Sequence, residues 1–256
     1  MQESFDWRSP TLTERWQETL GWQPDAQQQQ QFQHLYEQIL AGNRQLNLTR
    51  ITDPAEFWEK HLWDSLRGVQ PWLSPSDPLP FPLPPLANSK LLDIGTGAGF
   101  PGLPIAIALP QISCTLLDST QKKIAFLDRI LPDFSLPQVK TVVRRAEQVG
   151  RDRQHRNTYT IVTLRAVAPA TICAEYAIPC LTLGGIAILY RGQWTVEENQ
   201  ALQGAAQKLG CTVEFVDAFT TPLSQSIRHC LYLHKTEPTP SEFPRAIGVP
   251  TRDPLK

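Results

Sequence analysis

A marked excess of charge of either sign is missing from this chain of 256 residues, which has 24 Lys and Arg against 25 Asp and Glu. This balance excludes a generally basic surface for nucleic acids, so a contact with RNA or DNA must use a local patch. No run of about 18 apolar residues occurs, and the first residues, MQESFDWRSP, contain no apolar core. We therefore expect neither secretion nor a membrane span.

Paired cysteines and metal-ligand spacings are missing as well. The five cysteines form no C-x-x-C pair, and an odd number at irregular spacing favours reduced thiols in a cytosolic protein. The five histidines lack the spacing of a zinc site. The sequence therefore predicts a cytoplasmic protein with no bound metal and no membrane contact.

The chain changes composition along its length. Residues 11–69 space their large apolar side chains at three and four positions, which predicts helices, with the glutamine run at 27–31 on a solvent-facing side. Seven prolines between positions 71 and 85 predict an extended connector. The predicted division is a helical cap at 1–70, a proline-rich connector at 71–89, a main domain at 90–236 and a tail at 237–256.

From residue 90 onward, apolar runs alternate with helical stretches. Continuous apolar strands separated by helices indicate a parallel sheet that is covered on both faces. The last two runs have no helix between them and predict an antiparallel pair. This pattern favours the α/β, Rossmann-like fold of class I AdoMet methyltransferases, with seven strands, the last antiparallel, and an N-terminal helical extension. The apolar runs are 90–94, 112–118, 139–143, 159–164, 185–190, 212–216 and 229–234.

The glycine-rich segment LLDIGTGAGFPG at 91–102 follows the first predicted strand. Its spacing also fits the G-x-G-x-x-G pattern of NAD-binding proteins. Asp93, two residues before Gly95, favours AdoMet, because a carboxylate repels a pyrophosphate but suits an ammonium and a sulfonium. The structural alternative for Asp93 is a carboxylate that caps a helix or braces the loop. Asp118 ends the second strand, where a carboxylate can accept hydrogen bonds from ribose hydroxyls. NAD enzymes share this feature, so Asp118 does not separate the two cofactors.

The segment after the fourth strand, TLRAVAP, indicates the acceptor chemistry. It lacks the N-P-P-Y motif for exocyclic amines, and Cys180 falls too far from the strand end to be a nucleophile, so we interpret it as a core residue. No acid, His or Cys stands in an obvious base position. Arg165 is predicted to be an electrostatic and positioning group, with an ion pair at the strand end as its alternative. We interpret Asp64, one turn after His61, as a partner or surface acid.

Basic residues are dense only at 140–165, with seven Lys and Arg against two Asp and Glu. Arg144 and Arg145 end the third strand on the ligand side, and Lys122 begins a helix near the same crevice. Such cations suit phosphate contacts. The cations predicted to be solvated at the opposite edge are Arg151, Arg153 and Arg156.

Together these segments resemble the family of bacterial 16S ribosomal RNA guanine-N7 methyltransferases, also known as the glucose-inhibited division protein B family. The resemblance runs from about residue 42 to residue 255. The glycine segment alone would indicate only the superfamily, but its combination with the P-R-x-x-G-x-P tail is specific. The matching segments are NLTR at 47–50, HLWDS at 61–65, LLDIGTGAGFPGLPIAI at 91–107, LLDSTQKKIAFL at 116–127, RAE at 145–147, LRAVA at 164–168, YRGQ at 190–193, RH at 228–229 and FPRAIGVPTRDPL at 243–255.

The resemblance implies AdoMet-dependent methylation of N7 of one guanine in the decoding region of 16S rRNA, with 16S rRNA or the small ribosomal subunit as partner. We expect a monomer. Arg165 is implied beside the methyl group, and Lys122, Arg191 and Arg228 are implied to hold RNA. Two other classes stay open: an NAD(P)-dependent oxidoreductase and a non-catalytic RNA-binding assembly factor. The residues expected to bind the cofactor are Asp93, Gly95, Gly97, Gly99, Phe100, Asp118, Ser119, Thr120, Ala146, Glu147 and Arg165.

Overall fold

Seven strands build the centre of the computed structural model, which describes residues 10–74 and 79–256. They form one sheet in the order β3-β2-β1-β4-β5-β7-β6, in which β7 is antiparallel to both neighbours and the other pairs are parallel. The predicted fold class is therefore confirmed. The strands are β1 (Lys90–Ile94), β2 (Ser113–Asp118), β3 (Val139–Val143), β4 (Tyr159–Arg165), β5 (Leu181–Arg191), β6 (Cys211–Thr220) and β7 (Ile227–Lys235).

Helices cover the two faces of this sheet. A π-helical turn, Trp58–Trp63, joins two short helices into one continuous stretch. No helix within residues 10–74 and 79–256 has the length and apolar content needed to cross a membrane. The helices are α1 (Pro10–Leu20), α2 (Ala26–Asn43), α3 (Pro54–Phe57), α4 (Asp64–Arg67), α5 (Gln70–Leu73), α6 (Gly102–Ala108), α7 (Gln121–Ile130), α8 (Ala146–Val149), α9 (Ala170–Ala177), α10 (Val196–Lys208) and α11 (Val249–Arg252).

The N-terminal helices share a hydrophobic core with one face of the sheet. Successive strand residues point to opposite faces, so Leu91 joins the core that contains Trp16 and Trp58, whereas Leu92 joins the core beneath α9 and α10. Asp53 caps the N-terminus of α3 by accepting a hydrogen bond from the Glu56 N–H at 2.9 Å. This packing fixes the helical stretch 54–67 against the sheet.

The glutamine run faces solvent only in part: Gln27 and Gln30 are exposed, whereas Gln28 and Gln31 bind other segments. Gln28 donates from Nε2 to the carbonyls of Ile107 and Ala108 at 3.1 and 3.3 Å. Gln31 donates to the carbonyl of Phe134 at 2.7 Å. The last carbonyls of a helix have no partner within the helix, so Gln28 caps the end of α6 and ties α2 to the sheet domain.

The proline-rich connector packs on the same core where the structure describes it. Trp72 donates from its indole N–H to the carbonyl of Pro84 at 2.9 Å. Phe81 is buried, and its ring lies 5.9 Å from that of Tyr232 on β7. Connector residues 75–78 lie outside the described residues.

Candidate active site at the carboxyl edge of the sheet

Two cavities open where the parallel strands end, and both use the segment 165–169 that follows β4. The first cavity, of about 370 Å³, is lined by residues including Gly95, Asp118 and Val167. The second cavity, of about 440 Å³, is lined by residues including Arg165 and Ala166. Carboxyl ends of strands in open α/β sheets are the usual place for ligands. The two cavities are therefore candidate pockets for two reactants that meet.

The glycine segment forms one wall of the first cavity. Gly95, Gly97 and Gly99 have φ values of +73°, +60° and +101°, a region that other residues rarely adopt. A Cβ atom on Gly95 would lie 2.5 Å from a methyl carbon of Val167. The glycines are therefore required both for the turn and for the close approach of the segment after β4.

Asp118 at the end of β2 is held rigidly beside this loop. Its Oδ1 accepts from the Thr120 N–H at 2.8 Å, and its Oδ2 accepts from the Gly97 N–H at 3.0 Å. Lys123 Nζ lies 3.9 Å from Oδ2. Each carboxylate oxygen accepts more than one hydrogen bond, so Asp118 keeps acceptor capacity for hydroxyl groups in the first cavity.

Asp93 does not contact either cavity, which corrects its predicted role as a cofactor ligand. The residue has no exposed surface. Its Oδ2 accepts from the Gly102 N–H and its Oδ1 from the Thr163 hydroxyl, both at 2.9 Å. Burial raises the pKa of Asp93, although these hydrogen bonds oppose the rise. Asp93 therefore braces the glycine loop against β4, which is the structural alternative.

The far end of the first cavity is built around Glu147, which is 1% exposed. Its Oε1 accepts from the Gly248 N–H at 3.0 Å and lies 3.3 Å from an Arg145 nitrogen. Burial opposes ionisation, but these hydrogen bonds outweigh it and lower the pKa of Glu147. Its Oε2 is buried and has no hydrogen-bond partner among the described residues. An ionised carboxylate oxygen without a donor is prepared to accept one from a ligand.

The C-terminal tail completes this end of the cavity, a role that sequence reasoning missed. Thr251 lines the cavity beside Tyr176, with 3.3 Å between their hydroxyl oxygens. Arg245 grips the fully buried Glu175, with Nη2 2.7 Å from Oε2 and Nε 3.0 Å from Oε1. The P-R-x-x-G-x-P motif signalled that the tail matters, but not where it lies.

Two of the three arginines predicted to be solvated hold this tail. Arg151 donates from Nε to the Pro244 carbonyl at 2.7 Å. Arg156 donates to the carbonyls of Phe243 at 2.5 Å and Thr239 at 2.9 Å. Exposed carbonyls of an irregular segment need donors, and the guanidinium groups supply them. Arg153 is exposed, as predicted.

Arg165 lines the second cavity and not the first. Its Nη1 donates to the Lys60 carbonyl and to Asp64 Oδ2, both at 2.8 Å. Its Nη2 lies 3.3 Å from His61 Nδ1, and its guanidinium carbon lies 5.6 Å from the centre of the Phe100 ring. The ion pair that was the alternative interpretation of Arg165 is therefore present, with a partner from the helical cap.

His61 is a neutral, fixed side chain next to Arg165. Burial, followed by the charges of Arg165 and Lys60, lowers the pKa of His61 to about 3. Because Arg165 only donates, Nδ1 is the acceptor, and Nε2 carries the proton toward Thr49 Oγ1 at 2.8 Å. The imidazole stacks on Phe100, with ring centres 4.4 Å apart and an angle of 10°. Phe100 was expected to bind the cofactor, but it lines neither cavity.

The π-helical turn explains how the cap reaches Arg165. Within it, the Asp64 N–H donates to the Glu59 carbonyl, five residues back. Glu59 is buried and accepts from the backbone N–H of Ser224 at 2.8 Å and from that of Leu223, which ties the turn to the β6–β7 hairpin. Such turns are frequent at functional sites. The 3.6-residue apolar spacing predicted the helix but not the turn.

Other cations lie around the second cavity. Arg191 and Arg228 line it, and Arg191 also donates to the Ala168 carbonyl at 2.9 Å. Ala166 has a φ of +55°, a strained value for a residue with a Cβ atom, at the point where the cavities meet. Lys122 is exposed and lines neither cavity.

Only some of the residues predicted to bind the cofactor line the first cavity. Those that line the first cavity are Gly95, Asp118, Ser119, Ala146 and Glu147. Those that do not line it are Asp93, Gly97, Gly99, Phe100, Thr120 and Arg165. Thr120 contributes its backbone N–H to Asp118 instead.

Comparison with known proteins decides the family. Residues 28–230 match the family described as GidB: rRNA small subunit methyltransferase G. The chain belongs to this family.

Curated members of this family are similar to the chain over nearly its whole length. The ribosomal RNA small subunit methyltransferase G of Nostoc punctiforme is 59% identical over 246 residues, covering 96% of this chain and 98% of the relative. The protein of the same name from Trichormus variabilis is 56% identical, with the same coverage. The predicted resemblance is confirmed.

Solved structures with low sequence identity share the fold. The 16S rRNA (adenine(1408)-N(1))-methyltransferase of Catenulisporales acidiphilia, solved with the cosubstrate SAM, matches with a TM-score of 0.51 and 15% identity, over 60% of this chain and 88% of that one. The antibiotic-resistance methyltransferase Kmr matches with a TM-score of 0.50 and 14% identity, over 60% of this chain and 89% of that one. At this identity the likeness supports the methyltransferase fold alone.

The cysteines of this family member agree with their predicted structural role. All five are free and buried. Burial raises the pKa of Cys180 to about 12, so the nucleophilic thiolate is absent at neutral pH. The interpretation of Cys180 as a core residue is confirmed.

Proposed function

We propose that this chain transfers a methyl group from AdoMet to N7 of a guanine in 16S rRNA, with AdoMet in the first cavity and the guanine in the second. The observation that carries the proposal is the shared segment 165–169. It joins a cavity with acidic acceptors to a cavity lined by Lys60, Arg165, Arg191 and Arg228 in a member of an rRNA methyltransferase family. The buried carboxylates of the first cavity, Asp118 and Glu147, suit a sulfonium compound, and the cations of the second suit RNA.

The residues of the first cavity fit adenosine. Asp118 has acceptor capacity for the two ribose hydroxyls, and the unpaired Oε2 of Glu147 matches the amino group of adenine. AdoMet, when bound, supplies a methyl group on a positively charged sulfur. The residues of the chain hold it in place and direct that group toward the segment after β4.

The acceptor needs no proton removal, because N7 of guanine carries an in-plane lone pair. His61 and Asp64 of the helical cap stand beside Arg165. Both are engaged: His61 through Thr49 and Arg165, and Asp64 through Arg165. The work of the chain is therefore to align N7 with the methyl group.

The direct test is methyl transfer from labelled AdoMet to 16S rRNA and to small subunits from cells that lack this protein. We expect one labelled N7-methylguanosine in the rRNA. Label at another atom or in another RNA would contradict the proposed acceptor. Absence of transfer on both substrates would favour the non-catalytic assembly factor.

Replacing Asp118 with alanine is expected to weaken AdoMet binding roughly tenfold to a hundredfold, because hydrogen bonds to a charged acceptor are worth about 1.5–3 kcal/mol. Calorimetry measures the affinity. Asp128→Ala is the matched control, since Asp128 is an exposed acid on the nearby α7 that bonds to Thr141. Equal affinities of the folded Asp118 and Asp128 variants would remove Asp118 from the site.

Charge removal around the second cavity is expected to weaken RNA binding and to flatten its salt dependence, with the slope falling by about one for each lost phosphate contact. The variants are Arg191→Gln and Arg228→Gln, both in the lining of this cavity, measured by filter binding at several salt concentrations. Arg153→Gln is the control, because Arg153 is exposed and lies outside both cavities. A larger effect at Arg153 would show that the RNA lies elsewhere.

The rate of methylation under single-turnover conditions is expected to be independent of pH between about 5 and 8. His61, with a pKa of about 3, is neutral throughout this interval and charges only below it. A rate that rises near neutrality and loses this dependence in His61→Gln would identify a general base.

A further inference from the structure

Asp64 is the only carboxylate among the described residues that line the second cavity. The residue is 7% exposed, yet only its Oδ2 has a described partner, Arg165 Nη1 at 2.8 Å. Oδ1 has no hydrogen bond within the described part of the chain. A cavity that served only to hold phosphate would gain from a neutral residue here, because a carboxylate repels phosphate.

Arg165 also has N–H donors that no described residue accepts. Both N–H groups on Nη1 are used by the Lys60 carbonyl and Asp64, and one on Nη2 by His61. The second N–H on Nη2 and the N–H on Nε have no described partner. The Arg165–Asp64 ion pair therefore offers a ligand two kinds of group: the remaining N–H donors of Arg165 and the Oδ1 acceptor of Asp64.

This order of donor and acceptor matches one purine. Guanine presents the O6 acceptor next to the N1–H donor, and N7 lies adjacent to O6. Adenine presents an N6 amino donor next to the N1 acceptor, the opposite order. Enzymes that act on an extruded base read it through hydrogen bonds to its Watson–Crick edge.

We propose that Asp64 determines specificity for guanine by accepting the N1–H through Oδ1, while Arg165 donates to O6. This inference rests on the proposed function. It names the residues that recognise the base in the second cavity. With O6 held by Arg165, the neighbouring N7 is directed to the segment 165–169 and the first cavity. Adenine in the same position would meet Arg165 with a donor and Asp64 with an acceptor.

The test compares RNA substrates that carry guanosine or adenosine at the modified position, with wild-type protein and Asp64→Asn. The asparagine carbonyl can still accept from Arg165, so its amide group turns a donor toward N1. We expect the preference for guanosine over adenosine, measured as the ratio of kcat/KM values, to fall roughly tenfold to a hundredfold. Asp217→Asn, which alters a comparable ion pair with Arg67 at 2.7 Å outside both cavities, is expected to leave the ratio unchanged.

A second measurement uses only the wild-type protein. RNA with 1-methylguanosine at the target position lacks the N1–H but keeps N7, and we expect at least a roughly tenfold loss in kcat/KM. An unchanged guanosine-to-adenosine ratio in a folded Asp64→Asn variant, or full activity on 1-methylguanosine, would overturn the role of Asp64 alone. Failure of wild type to methylate the guanosine RNA would instead overturn the proposed function.

Discussion

Replacing Arg165 with lysine is expected to reduce the single-turnover rate of methylation about 100-fold, even at saturating AdoMet, because small misplacements of a reacting group have effects of this size. The guanidinium of Arg165 holds Asp64, the Lys60 carbonyl and His61 at once. A compact ammonium group cannot reproduce this planar fork.

The affinity for AdoMet distinguishes this account from the role implied by the resemblance. Arg165 lies outside the first cavity, so Arg165→Lys is expected to leave AdoMet affinity unchanged in calorimetry. A variant that binds AdoMet poorly but reacts normally at saturation would place Arg165 on the cofactor instead.

Replacing Arg245 with alanine is expected to lower the free energy of unfolding by about 3 kcal/mol, because removal of one partner leaves a buried charge uncompensated. Glu175 on α9 has no exposed surface and takes three of its hydrogen bonds from the guanidinium group. The backbone N–H of Arg245 would still donate to Glu175 at 2.7 Å, which limits the loss. Urea denaturation measures the difference.

The double variant Glu175→Gln with Arg245→Met is the control for this ion pair. We expect the double variant to recover much of the lost stability, because it no longer contains a buried charge. Because the tail also carries Gly248 and Thr251, Arg245→Ala is expected to weaken AdoMet binding as well. Stability equal to wild type would show that the tail is held by other contacts.

Local sequence patterns predicted the sheet and the loop of the first cavity. The apolar runs predicted β1 to β7 within two residues except at the start of β5 and the C-terminal end of β6, and the glycine spacing predicted the turn before α6. These features depend on neighbours along the chain: alternation of strand and helix, and glycines at positive φ. Asp118 followed from its position at the end of a strand.

Contacts between distant segments could not be predicted in this way. Arg165 and Asp64 are 101 positions apart, and so are Gly248 and Glu147. The spacing of residues along the chain does not indicate contacts between positions so far apart. The π-helical turn before Asp64 was not predicted either, because apolar spacing indicated only a helix there. Asp93 is a case in which local sequence misled. Its position before the glycines suggested a cofactor ligand, but the side chain is fully buried and binds the glycine loop instead.

Replacing N7 itself tests the central claim that the two cavities bring a methyl donor to guanine N7. RNA with 7-deazaguanosine at the modified position keeps O6, N1–H and N2 but has a carbon in place of N7. This RNA is expected to compete with normal substrate for binding, while its single-turnover methylation falls to the background. Methylation of the 7-deazaguanosine RNA at the normal rate would contradict it and place the acceptor at a different atom.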